Sequence, residues 1–524
     1  MTRTIQIDIS PEKLHDEVAL RRAAGAKDGE ECRVVRRSID CRRRNIVYHL
    51  TVEIDPQASP ASPPAPLHRE RGVDSCGMRP RFCVVIVGSG PAGLFAALRA
   101  IELGIKPIIV ERGKPVEERR RDIARIPREQ AVDPDSNWCF GEGGAGTFSD
   151  GKLYTRSTKR GDVGGVLQRF VQHGADPDIM VDVHAHIGTD RLGGIIANMR
   201  RTIESAGGKY HFGCRVTDLV VHEGRVLGVR TADGGEIRGD AVILATGHSA
   251  RDIYRLFLER GWRLEDKPFA LGVRVEHPQE LINQIQYHGP NYSKLLPAAT
   301  YSLTAQAAGH GVFSFCMCPG GVIVPAATAP GEQVVNGMSN SHRNSPWANS
   351  GIAVTVDNSL THSPSPQGEG SNCPLSLLAF QQSVERAAFA AAGNRVAAPA
   401  QRLTDFLQRR TSSTLPRSGY LGDIVSYPLH ELLPDFVVKS LALGFKEFDR
   451  KMHGFVTSEA LLLAVESRTS SPVRIPRDKE TLQHVELKGL YPCGEGAGYA
   501  GGIVSSAIDG IRCVEAFWEE NKLA

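Results

Sequence analysis

Residues 82–113 read FCVVIVGSGPAGLFAALRAIELGIKPIIVERG, a complete βαβ pattern rather than a lone glycine motif. An apolar run, Val84 to Val87, enters Gly88-Ser89-Gly90-Pro91-Ala92-Gly93; a helical pattern follows to Leu103, and a second apolar run ends on Glu111. Gly88 permits a tight turn, Gly90 lets the backbone approach a pyrophosphate, and Gly93 lets helix and sheet pack closely. The free N–H groups and positive dipole end of the helix face the phosphates. Glu111 stands 23 positions after Gly88, where a carboxylate accepts hydrogen bonds from an adenosine ribose and repels a 2′-phosphate. The stretch therefore predicts a site for FAD or NAD rather than NADP. Pro91, Ala92 and Arg112 belong to the same expected contact set.

Composition narrows the class. The 524 residues are too many for one core, so two or three domains are expected. A hydrophobic content of 41% is ordinary for a globular protein, and a formal charge of +3 gives no global attraction to nucleic acid or membrane. The 11 cysteines are irregularly spaced with no CxxC, which argues against a disulfide framework or zinc ribbon and fits a reducing cytoplasm. The N-terminus lacks a signal-peptide pattern and no run is long enough for a membrane span, so a soluble cytoplasmic protein is expected.

Outward from the βαβ unit, residues 1–55 read as a small α+β domain, and 56–80 as a Pro/Ser-rich linker. Residues 81–264 form the first part of the nucleotide domain, ending in a β-meander with turns at Glu223-Gly224 and Asp233-Gly234-Gly235. Residues 265–454 change to short strands, prolines and amphipathic helices, which predicts an inserted substrate domain, and 455–524 return to the nucleotide domain. Thr361 to Pro374 reads as a disordered insertion.

Three further loops carry chemistry. WCFGEGGAGTFSDGKL, Trp138 to Leu153, has five glycines between Gly141 and Gly151. Backbone entropy opposes a helix or strand there, so the loop is expected to lie against a flat ligand, with Gly144, Gly146, Thr147, Ser149, Asp150 and Lys152 in reach. DAVILATGHSARD, Asp240 to Asp252, reads as a buried parallel strand whose end, Thr246-Gly247, opens on the ligand crevice, with His248, Ser249 and Arg251 at its mouth. GLYPCGEGAGYAGGIVSSAIDG, Gly489 to Gly510, gives a strand, a glycine loop with Gly494 and Glu495, and a helix starting near Gly501, Gly502 and Ile503. That helix N-terminus suits the N1–C2=O edge of a reduced flavin, and a β-branched residue at Gly502 is expected not to follow its backbone. Cys316 and Cys318 share one face of a strand and read as small buried hydrophobes. Arg468, Arg474 and Arg477 either hold an anion or line a solvated crossover. No metal site and no catalytic acid or base can be named.

Together these motifs, with CMCPGG and NGMS between them, resemble the bacterial and plastid group described as uncharacterised FAD-dependent dehydrogenases. The resemblance implies a glutathione-reductase-like, Rossmann-type α/β fold for the FAD domain, Gly88, Gly90, Gly93 and Glu111 on the ADP half of FAD, and Glu495 on the ribityl or pyrophosphate. It implies an FAD-dependent oxidoreductase in which hydride passes between a substrate and flavin N5. Expected partners are a small-molecule substrate or electron donor, with NAD(P)H one candidate, and neither membrane nor nucleic acid. The competing class is an RNA- or protein-binding factor that carries FAD structurally, resting on Arg33, Arg36, Arg37, Arg42, Arg43 and Arg44, which read equally as a solvated strand face.

Overall fold

The computed structural model describes residues 2–55, 81–155, 161–357, 359 and 373–522. The expected linker at 56–80 and residues 361–372 of the expected insertion lie outside the described residues. The βαβ reading is realised as strand Cys83–Val87, helix Pro91–Glu102 and strand Lys106–Val110. They sit in a five-stranded parallel sheet ordered Leu490–Pro492, Ala241–Leu244, Cys83–Val87, Lys106–Val110, Lys209–His211. Strand period two divides the apolar run between two cores. Val84 and Ile86 face helices Pro91–Glu102, Thr189–Ser205 and Ile503–Asn521. Val85 and Val87 face the meander Val216–His222, Arg225–Thr231, Glu236–Arg238 and the helix Arg251–Glu259. Each buried Val or Ile contributes about 1.5–3 kcal/mol, so burial on both faces makes this central strand the anchor of the domain.

The second domain is built on a seven-stranded mixed sheet ordered Thr304–Ala307, His310–Cys318, Trp347–Val356, Phe269–Pro278, Leu461–Glu466, Ala397–Arg402, Asp423–Ser426. Helix Asp435–Lys451 packs Phe445 and Phe448 against Phe455 over this sheet. The crossing back to the nucleotide domain therefore falls after Glu466, later than the sequence boundary at 455. The reason is physical: LLLAVE is a continuous apolar run, which reads alike for a central strand of either sheet.

The N-terminal unit forms as expected, with strands Arg3–Ile9, Glu31–Asp40 and Val47–Asp55 and helix Glu17–Ala24. That helix is capped by Asp16, which accepts from Ala19 N at 3.0 Å, and stopped by left-handed Gly25. Ile7, Leu50, Val52 and Ile54 enter the same core as Phe269, Val273 and Phe455. The unit thus packs its apolar face against the second domain's core. No helix among the described residues is long and apolar enough to cross a membrane.

Candidate functional site

One cavity of about 590 Å³ runs between the two domains. Its floor is the carboxyl end of the parallel sheet, and its far wall is the strand His310–Cys318. The lining includes Gly88, Gly90, Pro91, Ala92, Glu111, Arg112, Gly144, Gly146, Lys152, Thr246, Gly247, Gly494, Glu495, Gly501, Gly502 and Ile503. Two of the expected contact residues lie elsewhere. Gly93 is a packing glycine: a Cβ there would meet the Gly88 carbonyl at 1.9 Å. Thr147 turns inward, its hydroxyl donating to the Glu142 carbonyl at 3.0 Å.

The turn itself needs glycine. Gly88 has φ +101°, and a side chain would meet the Ala245 carbonyl at 2.4 Å. Gly501 and Gly502 differ from expectation. Gly502 is extended at φ 172°, which any residue adopts, and nothing lies within 4 Å of a Cβ at either position. The space their missing side chains leave belongs to the cavity, so close approach, and not backbone strain, explains the pair.

Glu111 is committed to the protein first. Its Oε2 accepts from Ser89 N at 2.9 Å and Ser89 Oγ at 2.8 Å, and its Oε1 from Gly113 N at 2.9 Å and Gly141 N at 3.0 Å. A ribose hydroxyl would have to take over one of these bonds. Beside it, Arg112 stacks 4.1 Å over Phe140 and donates to Asp135 at 2.7 Å.

Sequence reasoning missed the residue that shapes the glycine loop. Arg119 is fully buried and donates to the carbonyls of Asn137, Trp138, Glu142 and Gly144 at 2.7–2.9 Å. Burial pushes its pKa down to about 10, which leaves it charged at neutral pH. No signal distinguished it within EERRRD, because its partners are backbone carbonyls rather than acids. At the ends of that loop Trp138 and Phe148 pack edge to face at 5.7 Å, in one apolar cluster with Val324 and Val334.

A second missed feature ties the domains at the cavity wall. Arg251 donates to Glu332 at 2.9 Å and Glu385 at 2.8 Å, and Arg468 to Glu332 at 3.2 Å and Glu385 at 3.1 Å, all four side chains buried. Burial would raise the Glu385 carboxyl, but Arg468 and Arg251 outweigh it and hold it well below the usual carboxylate range. Arg468 also donates to Ser249 Oγ at 3.1 Å, and that hydroxyl lies 2.8 Å from His248 Nδ1. The hydroxyl accepts from arginine, which only donates, and shares one hydrogen bond with the imidazole. Burial, Arg468 and Arg251 push His248 down to about 4, so it stays neutral. Of the other expected arginines, Arg477 is bound to Asp509 at 2.6 Å and stacked on Tyr499, and neither it nor Arg474 lines the cavity.

On the far wall, Cys316 has φ +45° at a bulge in its strand, and both Cys316 and Cys318 line the cavity. Cys318 is buried as expected, whereas the bulge, which period two does not foresee, leaves Cys316 exposed on the cavity wall. Desolvation by the surrounding wall pushes the Cys316 thiol up to about 11, so it is a thiol at neutral pH. Glu495, half-buried, is raised to about 7 by burial, offset in part by Lys267. Of the N-terminal arginines, Arg33 pairs with Glu53, Arg42 with Asp40, and Arg37 with Asp178 and Asp182.

Comparison with known proteins bears on the family. Residues 268–469 match the family described as FAD-dependent protein, C-terminal domain-like; residues 193–295 match FAD dependent oxidoreductase, 84–119 an FAD binding domain, and 1–55 a domain of unknown function. A Clostridium beijerinckii protein described as uncharacterised is 41% identical over 440 residues, 83% of this chain and 80% of its own. The digeranylgeranylglycerophospholipid reductase of Methanothrix thermoacetophila is 30% identical over 177 residues, 32% of this chain and 39% of its own. Among solved structures, a geranylgeranyl bacteriochlorophyll reductase-like protein from Thermoplasma acidophilum covers 84% of this chain and 79% of its own, at 12% identity and a TM-score of 0.35. CtdE in complex with FAD covers 83% and 84%, at 13% identity and a TM-score of 0.32.

FAD fits the residues present. Gly90, Gly144, Gly501 and Gly502 leave bare backbone on the cavity, and helices Pro91–Glu102 and Ile503–Asn521 both begin there. Two helix N-termini supply N–H donors and positive potential for a pyrophosphate and for an electron-rich ring edge.

Proposed function

The chain belongs to the family of FAD-dependent oxidoreductases that includes the Clostridium beijerinckii relative, FAD is its cofactor, and from that premise we propose that it is a dehydrogenase acting on a small molecule held between the two domains. Bound FAD would supply a hydride acceptor and donor at N5. The observation that carries the reading is the continuity of the cavity: the same space touches the βαβ turn at Gly88 and Gly90 and the second-domain wall at Phe315 and Cys316. A cofactor used only as structural filler has no need of an open second wall.

The chain's own residues divide the work. Gly88, Gly90, Pro91, Ala92, Glu111 and Arg112 hold the adenosine and phosphate side, while Gly144, Gly146, Gly494, Glu495, Gly501, Gly502 and Ile503 frame the ring side. Thr246 and Gly247 close the crevice between them. Arg119 fixes the glycine loop, and the Arg251–Glu332–Glu385–Arg468 lattice fixes the distance between the walls. His248 stays a neutral imidazole near neutral pH. Because three of the six N-terminal arginines are spent on carboxylates, the nucleic-acid reading gains nothing from the structure.

Purified protein is expected to be yellow, with one FAD per chain released by acid precipitation. Anaerobic mixing with a panel of donors, NADH and NADPH among them, should bleach the flavin with at least one. A colourless protein that cannot be reconstituted would end the proposal, and so would a flavin that no donor reduces.

A further inference from the structure

Among the described residues, each arginine on the cavity wall faces a carboxylate. Arg112 lies 2.7 Å from Asp135, Arg215 3.5 Å from Asp135, and Arg468 3.1 Å from Glu385. At the second-domain end, Asp150 is taken up by Arg343, whose Nε and Nη2 donate to its two oxygens at 3.1 and 2.6 Å. That pairing leaves one charge over. The Lys152 ammonium has Cys318 Sγ at 3.9 Å and Asp150 Oδ2 at 3.5 Å, and neither is a short charge-assisted hydrogen bond. An ammonium carries three donors, and this one borders the open cavity. Burial alone would neutralise it, but Cys318 and Asp150 outweigh burial and hold it above its ordinary pKa.

An ammonium kept charged at the cavity wall, with only one longer ion pair to Asp150, still has donors to offer an incoming anion. Building on the dehydrogenase reading, we propose that Lys152 is the recognition group for an anionic substrate. The substrate carries a carboxylate, which docks on the ammonium beside Cys318. Its apolar part lies along Phe313 and Phe315, with the Ser302 and Ser314 positions on the same wall. The class is thus a small organic acid, and neutral analogues of equal shape are rejected.

The test uses the FAD-loaded protein, followed by the visible absorbance of the flavin under argon. Benzoate and acetate are titrated against benzamide and acetamide. Wild type should bind the carboxylates at least about 10-fold tighter than the amides, as expected for a charge-assisted hydrogen bond. Lys152→Met should lose that preference by about 10- to 100-fold while keeping its FAD, and Lys152→Arg should retain it. Wild type that holds FAD but shows no carboxylate preference overturns the inference and leaves the dehydrogenase reading standing. A Lys152→Met protein with unchanged preference, or one whose only change is in FAD content or midpoint potential, also overturns it, because the charge would then serve the cofactor. Should the methionine variant not fold, the wild-type comparison of acids with amides decides alone. Failure to retain any FAD sinks the dehydrogenase reading instead.

Discussion

Replacing Glu111 by glutamine separates two roles that one carboxylate holds in this site. The four bonds it accepts come from Ser89 N, Ser89 Oγ, Gly113 N and Gly141 N, so it joins the phosphate turn, the end of the second strand and the glycine loop. Glutamine keeps one accepting oxygen and turns an NH₂ group toward the other two donors. Each buried donor so deprived costs about 1–3 kcal/mol. For a domain of 150–250 residues, 1 kcal/mol shifts the midpoint by about 2–4 °C, so a fall of at least about 4 °C is expected. The loss should appear in FAD-stripped protein as well as in loaded protein, because the donors belong to the chain. Thermal melts of both forms, read by circular dichroism, make the comparison, with FAD affinity measured alongside. If apoprotein stability is unchanged and only FAD affinity falls, Glu111 serves the ribose alone and the loop-tying argument is wrong.

Gly502→Val should fold normally yet lose FAD or shift its potential to more negative values, since the backbone is extended and the added carbons occupy cavity space; a folded variant with full FAD and an unaltered potential would remove this helix from the site. Arg251→Met should cost about 3–5 kcal/mol by leaving two buried carboxylates with one cation, and a thermal midpoint within 1 °C of wild type would refute that. Glu385, depressed in the folded state, contributes stability above the ordinary carboxylate pKa that is lost as pH falls, so wild type should weaken in acid and Glu385→Gln should respond less. Glu495 is raised to about 7, so between the ordinary carboxylate pKa and pH 7 the folded state holds a proton the unfolded state has lost; stability should fall as pH rises through that window, and a Glu495→Gln protein with the same pH slope would disprove it.

The fold was legible where sequence periodicity and chain order agreed. Val84 to Val87 alternates between two apolar cores, and the turn at Glu223-Gly224 has both residues at positive φ, as its hairpin requires. The second-domain boundary was not legible, because Leu461–Glu466 looks the same in either sheet. Glycines that line the cavity were legible from their spacing in strand-turn-helix patterns. Arg251 was placed at the crevice mouth but its partners were not foreseen, and Arg119, Glu332 and Glu385 were not singled out, since partners lie far along the chain or are carbonyls and charge in a helix reads as solvated until the fold buries it. Cys318 is buried as read, but Cys316 is not, because a bulge turns on one residue's φ, which composition does not encode.

The strand order of the two sheets also sets a timetable for synthesis. The apolar face of the N-terminal unit, with Leu50, Val52 and Ile54, is completed by Phe269 and Val273, and at about 5–20 residues per second the ribosome needs on the order of 10–40 s to pass from one set to the other. The parallel sheet waits longer, since its edge strand Leu490–Pro492 and the helix Ile503–Asn521 follow about 220 residues after Phe269. The N-terminal face is therefore covered well before the nucleotide sheet is complete, and a ribosome-stalled chain ending before Leu490 should be unable to load the cofactor.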